Sequence, residues 1–398
     1  MLCQNNSRGI FQERDEGRGI IPAPTSPLLS GEVSSIMPAM ARGRILAWCL
    51  FDFANSSYSA VIAAVVFQVY YINRIVGNEG GKGDLWWGAA ISLSMLIVSL
   101  TSPFLGGISD HAGLRKRLLA FYTALCVLAI AGFVFIAPGA YLLGFVLIVL
   151  ANTGMEGGLV FYNSFLPQIA PPERQGRVSA WGFGVGYAGS ILSLLIALPL
   201  AKSGSFGSIW LMVALFFALF SLPAFLFLPQ DKRSDAGVLH AGIAGSRKAW
   251  NTLREIWSLP EPRKFLLSYL IYEDGVNTVI VFSSSLAATT FGFGQGELIA
   301  LYLVVQVTAL VGAFSLATPT DTWGPKRIVT ISLLLWSSVA VAAFFVQSKA
   351  AFWAIACTAG LLRTVRFRPG PRPCSSADSH IFAQIFVADS RQTVHVSS

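Results

Sequence analysis

LWWGAAISLSMLIVSLTSPFLGGISDHAGLRKR, residues 85–117, decides the fold. Its first 24 positions, 85–108, carry no charge. A bilayer core of about 30 Å takes about 20 apolar residues in a helix, so this run is long enough to cross. It then breaks at Asp110-His111-Ala112-Gly113 and turns basic at Arg115-Lys116-Arg117. Outward from this segment, charge-free runs of spanning length recur at 118–138, 178–200, 208–229, 298–319 and 328–346. Three more, at 46–71, 140–165 and 265–288, are as long but hold one or two acids each. The expected fold is all-α: a polytopic membrane protein with nine full spans and a partial tenth, arranged as two pseudo-symmetric helical bundles.

Composition agrees. The chain is 54% hydrophobic and 12% charged, with a mean hydropathy of +0.62, whereas a soluble chain carries about 25% charged residues. The net charge of +8 does not call for nucleic acid, because loops on the cytoplasmic side of a membrane collect Lys and Arg. With the N-terminus inside, sixteen basic residues fall on the cytoplasmic side, among them Arg115, Lys116, Arg174, Arg247, Lys326 and Arg327. Only Arg74, Lys82, Lys202 and Lys349 fall on the other.

Residues 1–40 mix acids and bases without an apolar core and read as a polar tail, or as sequence upstream of a start at Met37 or Met40. Cys3, Cys49, Cys126, Cys357 and Cys374 show no C-x-x-C spacing, so neither a metal nor a disulfide is expected. The hydrophilic stretch 230–264 separates a six-helix bundle over 41–229 from a second series over 265–362. It holds Trp250, Leu253, Ile256 and Trp257 at helical spacing, which predicts an amphipathic helix on the cytoplasmic surface.

The second series repeats the first. Asp52-x-x-Asn55 in span one is matched by Asp274-x-x-Asn277 in span seven. The loop Asp110-x-x-Gly113-x-Arg115-Lys116 is matched by Asp321-x-x-Gly324-x-Lys326-Arg327. The longer first outer loop, NRIVGNEGGKGD, absorbs the difference in offset. Two motifs at equivalent places in two series imply duplicated halves facing each other across a central site, as in many transporters.

A carboxylate in hydrocarbon costs about 2.5–3.5 kcal/mol on insertion scales, so intramembrane acids usually face a cavity or a partner. Asp52, Glu156, Glu273 and Asp274 are the acids in question. The i, i+3 spacing puts Asp52 with Asn55, and Asp274 with Asn277, on one helix face each. Such pairs can bind an ammonium group or take up a proton; the competing role is to lock the bundle. Glu156 lies in Asn152-Thr153-Gly154-Met155-Glu156-Gly157-Gly158, where glycines weaken helix continuity and suit a coupling site. Gly275 suggests a similarly loosened helix beside Asp274. Glu297, at the outer end of span eight, favours that helix N-terminus.

In the D-x-x-G-x-R-K loops the Gly permits a tight reversal, the Asp can accept bonds from helix N-terminal amides, and the bases hold the loop inside. Asp110, Gly113, Arg115, Lys116, Asp321, Gly324, Lys326 and Arg327 are therefore read as gating loops. Gly182, Gly184, Gly186 and Gly189 on span five suit close helix packing more than ligand contact.

At this point the residues resemble a family. Gly106-x-x-x-Asp110-x-x-Gly113-x-Arg115-Lys116-Arg117 is similar to the signature loop of the major facilitator superfamily, with Ala317 in the place of its Gly in the second copy. The segments 48–56 (WCLFDFANS), 161–167 (FYNSFLP) and 272–278 (YEDGVNT) resemble the vacuole-effluxer-like branch, which includes fungal autophagy-related amino-acid effluxers and bacterial relatives. The resemblance covers about residues 42–362. It implies alternating-access efflux of a small polar solute, an amino acid by analogy, with a proton as candidate coupling ion. The substrate and coupling residues are then Asp52, Asn55, Glu156, Asn163, Asp274 and Asn277. The sequence holds no H-E-x-x-H or G-x-S-x-G motif and no closely paired catalytic His, so neither a cofactor nor an enzymatic activity is expected. The expected site is a bacterial cell membrane rather than a vacuolar one.

The family has twelve spans, whereas apolar character here ends at Leu362, and residues 363–398 are rich in Arg and Pro near their start. A truncation or frameshift near Leu362 is expected. It leaves a non-transporting sensor, an assembly partner or an inactive permease as alternative readings.

Overall fold

The computed structural model describes residues 30–230, 237–323 and 325–362. The region from Ala41 onward forms one unit by its internal contacts. No strand occurs among the described residues. The helices are α1 (Ser30–Ser57), α2 (Val66–Tyr70), α3 (Lys82–Ala112), α4 (Arg115–Gly132), α5 (Tyr141–Asn163), α6 (Leu166–Ile169) and α7 (Pro172–Lys202). They continue as α8 (Phe206–Phe227), α9 (Val238–Ser258), α10 (Pro260–Phe291), α11 (Gln295–Trp323), α12 (Pro325–Phe345) and α13 (Lys349–Leu362).

Each apolar run of the sequence is helical over most of its length. Among the described residues seven helices are long and apolar enough to cross a membrane, and Leu333–Phe345 and Lys349–Leu361 form shorter apolar helices. Their ends follow local chemistry. Pro opens α7 and α10, where its missing N–H costs nothing and its fixed φ suits the first turn. Gly113 closes α3 at φ 65°, ψ 42°, a left-handed conformation that residues with a Cβ seldom adopt. Large apolar side chains stay on the outside: Leu128 is 71% exposed and Leu226 72%. In water that surface would be costly; against acyl chains it is the expected covering.

Span one is unusual. After α1 the backbone widens into π-helix over Tyr58–Val65, returns to α over Val66–Tyr70, and widens again over Tyr71–Val76. Such windings are rare and hydrogen-bond less well, so they persist where packing holds them, often at functional sites. Packing does so here. Val61, Val65, Val66, Phe67, Gln68, Tyr71 and Ile72 are all fully buried, and Phe67 stacks on Phe133 with ring centroids 3.9 Å apart. The helix thus forms the axis around which α3, α5, α7, α8, α10 and α11 gather.

Two ends of the bundle can be distinguished by chemistry. The basic end carries the turn at Gly113 and the bases that follow it; the far end carries the start of α3. At the far end the first and second series meet. The Ser285 hydroxyl on α10 donates to Asp84 Oδ1 on α3 at 2.6 Å. The Gln295 amide, opening α11, donates to the Val66 carbonyl at 2.8 Å, at the join between π and α winding.

Candidate functional site

The face of α1 that carries Asp52 is built against glycine. Trp48, Asp52 and Ser56 recur every four residues and so line one face, and α7 lies on it. A Cβ on Gly182 would stand 2.5 Å from the Trp48 ring, and one on Gly186 2.9 Å from both Asp52 Oδ2 and Ser56 Oγ. A Cβ on Gly189 would strike the Phe53 carbonyl. The glycine stripe therefore serves close packing, as expected, but packing onto the very face that holds the acid. Asn55 Nδ2 approaches Asp52 Oδ1 at 3.4 Å, so the D-x-x-N pair does share a face. Asp52 is half-buried and Asn55 buried. Ser190 Oγ donates to the Ser56 carbonyl at 3.3 Å, completing a polar seam between α1 and α7.

One turn toward the basic end, Trp48 stacks on Tyr162 with centroids 4.5 Å apart and planes 8° from parallel. Its indole N–H donates to the Tyr162 carbonyl at 3.1 Å. The Tyr162 hydroxyl is buried without a hydrogen-bond partner. Asn163, the last residue of α5, is exposed instead of facing this stack.

Glu156 is half-buried on α5, one turn beyond Asn152. Asn152 lies in a buried chain that the sequence reading did not single out. The Tyr58 hydroxyl donates to Asn152 Oδ1 at 3.2 Å, and Asn152 Nδ2 donates to Ser94 Oγ at 2.7 Å. Ser94 in turn donates to the Ile91 carbonyl at 2.7 Å. This chain ties the π-wound part of span one to α5 and α3. The expected loosening at the Glu156 glycines is not what the structure has: α5 is continuous from Tyr141 to Asn163. Those glycines let helices touch. A Cβ on Gly154 would stand 2.6 Å from the Cys126 amide nitrogen, and one on Gly157 would enter the Tyr122 ring. Likewise α10 runs unbroken past Gly275.

In the loop between α3 and α4 the bases reach across to helix C-termini. Arg115 Nη1 donates to the Ser164 carbonyl at 3.3 Å, beyond the end of α5, and its Nε approaches Ser109 Oγ at 3.4 Å. Lys116 Nζ donates to the Leu228 carbonyl at 3.0 Å, beyond the end of α8. These carbonyls lack intrahelical partners and carry the negative end of the helix dipole, so cations suit them. The Arg115 guanidinium also lies over the Phe165 ring. The loop thus binds the ends of α5 and α8 to the start of α4. The Asp110 side chain lies outside the described residues.

So do the side chains of Glu273, Asp274, Asn277, Asp321, Lys326 and Arg327, and all of Gly324. The backbones of Asp274 and Asn277 are in α10, that of Asp321 near the end of α11, and those of Lys326 and Arg327 in the first turn of α12. Glu297 behaves as read: Oε2 accepts the Gly294 amide at 3.0 Å and Lys349 Nζ at 2.9 Å, at the N-terminus of α11. Cys49, Cys126 and Cys357 are free thiols. Among the described residues no group of three His, Cys, Asp or Glu side chains could hold a metal ion.

Comparison with known proteins places this architecture. The chain is 28% identical over 325 residues to an uncharacterized MFS-type transporter of Bacillus subtilis (strain 168), YxiO, covering 78% of this chain and 75% of that protein. It is 24% identical over 293 residues to autophagy-related protein 22 of Coccidioides immitis (strain RS), covering 56% of this chain and 48% of the fungal protein. The chain thus spans about half of that relative. In fold it is similar to the E. coli xylose transporter XylE in a partially occluded inward-open conformation. The TM-score is 0.54 at 14% identity, covering 83% of this chain and 84% of that one. The sequence pattern of the family described as "Vacuole effluxer Atg22 like" matches residues 89–175 and 171–363. With more than half of its length so matched, the chain belongs to the vacuole effluxer Atg22-like family of major-facilitator-type transporters.

Proposed function

We propose that the chain is a secondary active transporter that moves a small polar solute, an amino acid, out of the cytoplasm by alternating access. The observation that carries this reading is the Asp52 carboxylate. It lies half-buried within a span, paired to Asn55 and seated against Gly186. An acid at that depth is costly, usually faces a cavity or a partner, and marks substrate and proton pathways. Asn55 and the Asp52 carboxylate offer the donor and acceptor that an α-amino acid's carboxylate and ammonium groups require. Glu156, beside the buried Tyr58–Asn152–Ser94 chain, is the second coupling group, and Asp274 with Asn277 supply the matching pair from α10. The family's description as an effluxer supports the direction.

We further assign the basic end to the cytoplasm, because basic residues accumulate there, and the chain to a bacterial cell membrane, as the Bacillus relative suggests. The test is counterflow in proteoliposomes of the purified chain, preloaded with a mixture of unlabelled amino acids and offered single labelled ones. Accumulation of at least one label above that in protein-free vesicles is expected. Equal labels in both, for every amino acid offered, would reject this cargo class.

A further inference from the structure

We propose that α9 is an interfacial helix that lies on the leaflet at the basic end, its stripe of Leu239, Ile243, Trp250, Leu253 and Trp257 set among acyl chains and its bases on anionic lipid headgroups. Successive members of the stripe are 4, 7, 3 and 4 residues apart, which keeps them on one helix face. All five are exposed, from 43% at Leu253 to 68% at Leu239.

What makes the arrangement informative is how α9 is held. It docks on α3 through its smallest residues. A Cβ on Gly242 would enter the Phe104 ring, and one on Gly245 would strike Gly107 Cα and lie 2.9 Å from the Pro103 carbonyl. Ala241 beside them is 1% exposed and packs with Ile108. An amphipathic helix docked on a protein surface buries its large apolar side chains. This one buries Ala241, Gly242 and, of its large apolar residues, Ile256, while both tryptophans and three aliphatic side chains face outward, which calls for another apolar medium.

Position and charge identify that medium. The α3 residues under α9 belong to the last turns before the Gly113 reversal, where spans leave the bilayer. Through Leu259 and Pro260, α9 passes directly into α10, which contains the apolar run 265–288. Tryptophan is the side chain enriched at that depth. The helix carries Arg247, Lys248 and Arg254 against the single acid Glu255, and each base near an anionic leaflet adds attraction that salt screens. The lipid-facing spans carry no such charges in their middles. An apolar stripe with Arg247 and Arg254 along its edge and Lys248 on the opposite, polar face is the pattern of a helix lying in the interface.

The test uses the full-length protein in nanodiscs of phosphatidylcholine alone or with phosphatidylglycerol, followed by hydrogen–deuterium exchange over 238–258. Exchange of α9 is expected to be at least about tenfold slower with the anionic lipid, since each basic contact contributes about 1 kcal/mol, or about fivefold, before salt screening. That difference should vanish in the Arg247→Gln/Lys248→Gln/Arg254→Gln variant while exchange in α4 stays unchanged. A spin label at Trp250→Cys should be more accessible to oxygen than to a water-soluble nickel complex. Equal exchange in both lipids overturns the proposal, as does a label more accessible to nickel. Protection that appears only in discs holding two copies would assign the stripe to a second copy of the chain, and would overturn it too. None of these readouts depends on transport.

Discussion

The Ser285 hydroxyl donates to the Asp84 carboxylate at 2.6 Å, a bond between residues 201 positions apart that closes the far end of the bundle. Asn78 clasps the same acid from the other side, donating from Nδ2 to Oδ2 at 2.8 Å and accepting the Asp84 amide at 3.2 Å. Asp84 is thus fixed to its own helix N-terminus and aimed at α10. In the proposed alternating-access cycle, opening the far end breaks the Ser285 bond and that of Gln295 to Val66. A hydrogen bond to a charged group contributes about 1.5–3 kcal/mol. Ser285→Ala should therefore raise the far-end-open population by about tenfold or more. Spin labels at Glu79→Cys and Gly294→Cys report it: a longer distance component is expected in Ser285→Ala, and unchanged distances would remove Asp84 from the closing contact.

The glycine stripe of α7 makes a graded prediction. A Cβ on Gly184 would have nothing within 4 Å, whereas one on Gly189 would face the Phe53 backbone, which has no flexible end to move aside. Overpacking costs about 1–3 kcal/mol. Gly189→Ala should lower the melting temperature by several degrees in detergent, and Gly184→Ala should leave it within about a degree. Equal effects at the two positions would contradict the packing described.

The sequence carried these local features and missed the long-range ones for the same physical reason. Apolar length, the left-handed turn at Gly113 and the cap at Glu297 are decided within a few residues, so they can be read locally. Asp84 looked like the end of a polar outer loop because its partner sits on α10. Asn152 was visible only as part of a glycine-rich motif, since Tyr58 and Ser94 come to it from two other helices. The glycines around Glu156 read as breaks in isolation; their purpose shows only when α4 is laid against them. The π winding of span one has no local signature, because neighbouring helices impose it.

The buried chain through Asn152 should behave as one unit. Asn152→Leu leaves the Tyr58 hydroxyl without its acceptor, and an unsatisfied buried group costs about 1–3 kcal/mol. Adding Tyr58→Phe to Asn152→Leu should then cost less than Tyr58→Phe alone. Thermal denaturation of the two single variants and the double variant measures this coupling. Strict additivity would show that the contact contributes nothing.

The basic loop separates its residues by task. Lys116 holds the Leu228 carbonyl, while Arg117 is exposed. Lys116→Ala is expected to destabilise by about 1 kcal/mol and Arg117→Ala by less than about 0.5 kcal/mol. Urea titration followed by tryptophan fluorescence distinguishes them; a larger loss at Arg117 would contradict the assignment.

The role of the Asp52 carboxylate is tested most directly by amino-acid counterflow in proteoliposomes, wild type beside Asp52→Asn. The side chains are nearly isosteric, so the α1–α7 contact is kept and only the ionisable group is lost. We expect wild-type exchange and a fall to about a tenth or less in the variant, as for the loss of one charged contact. Equal exchange by the two proteins would contradict the account.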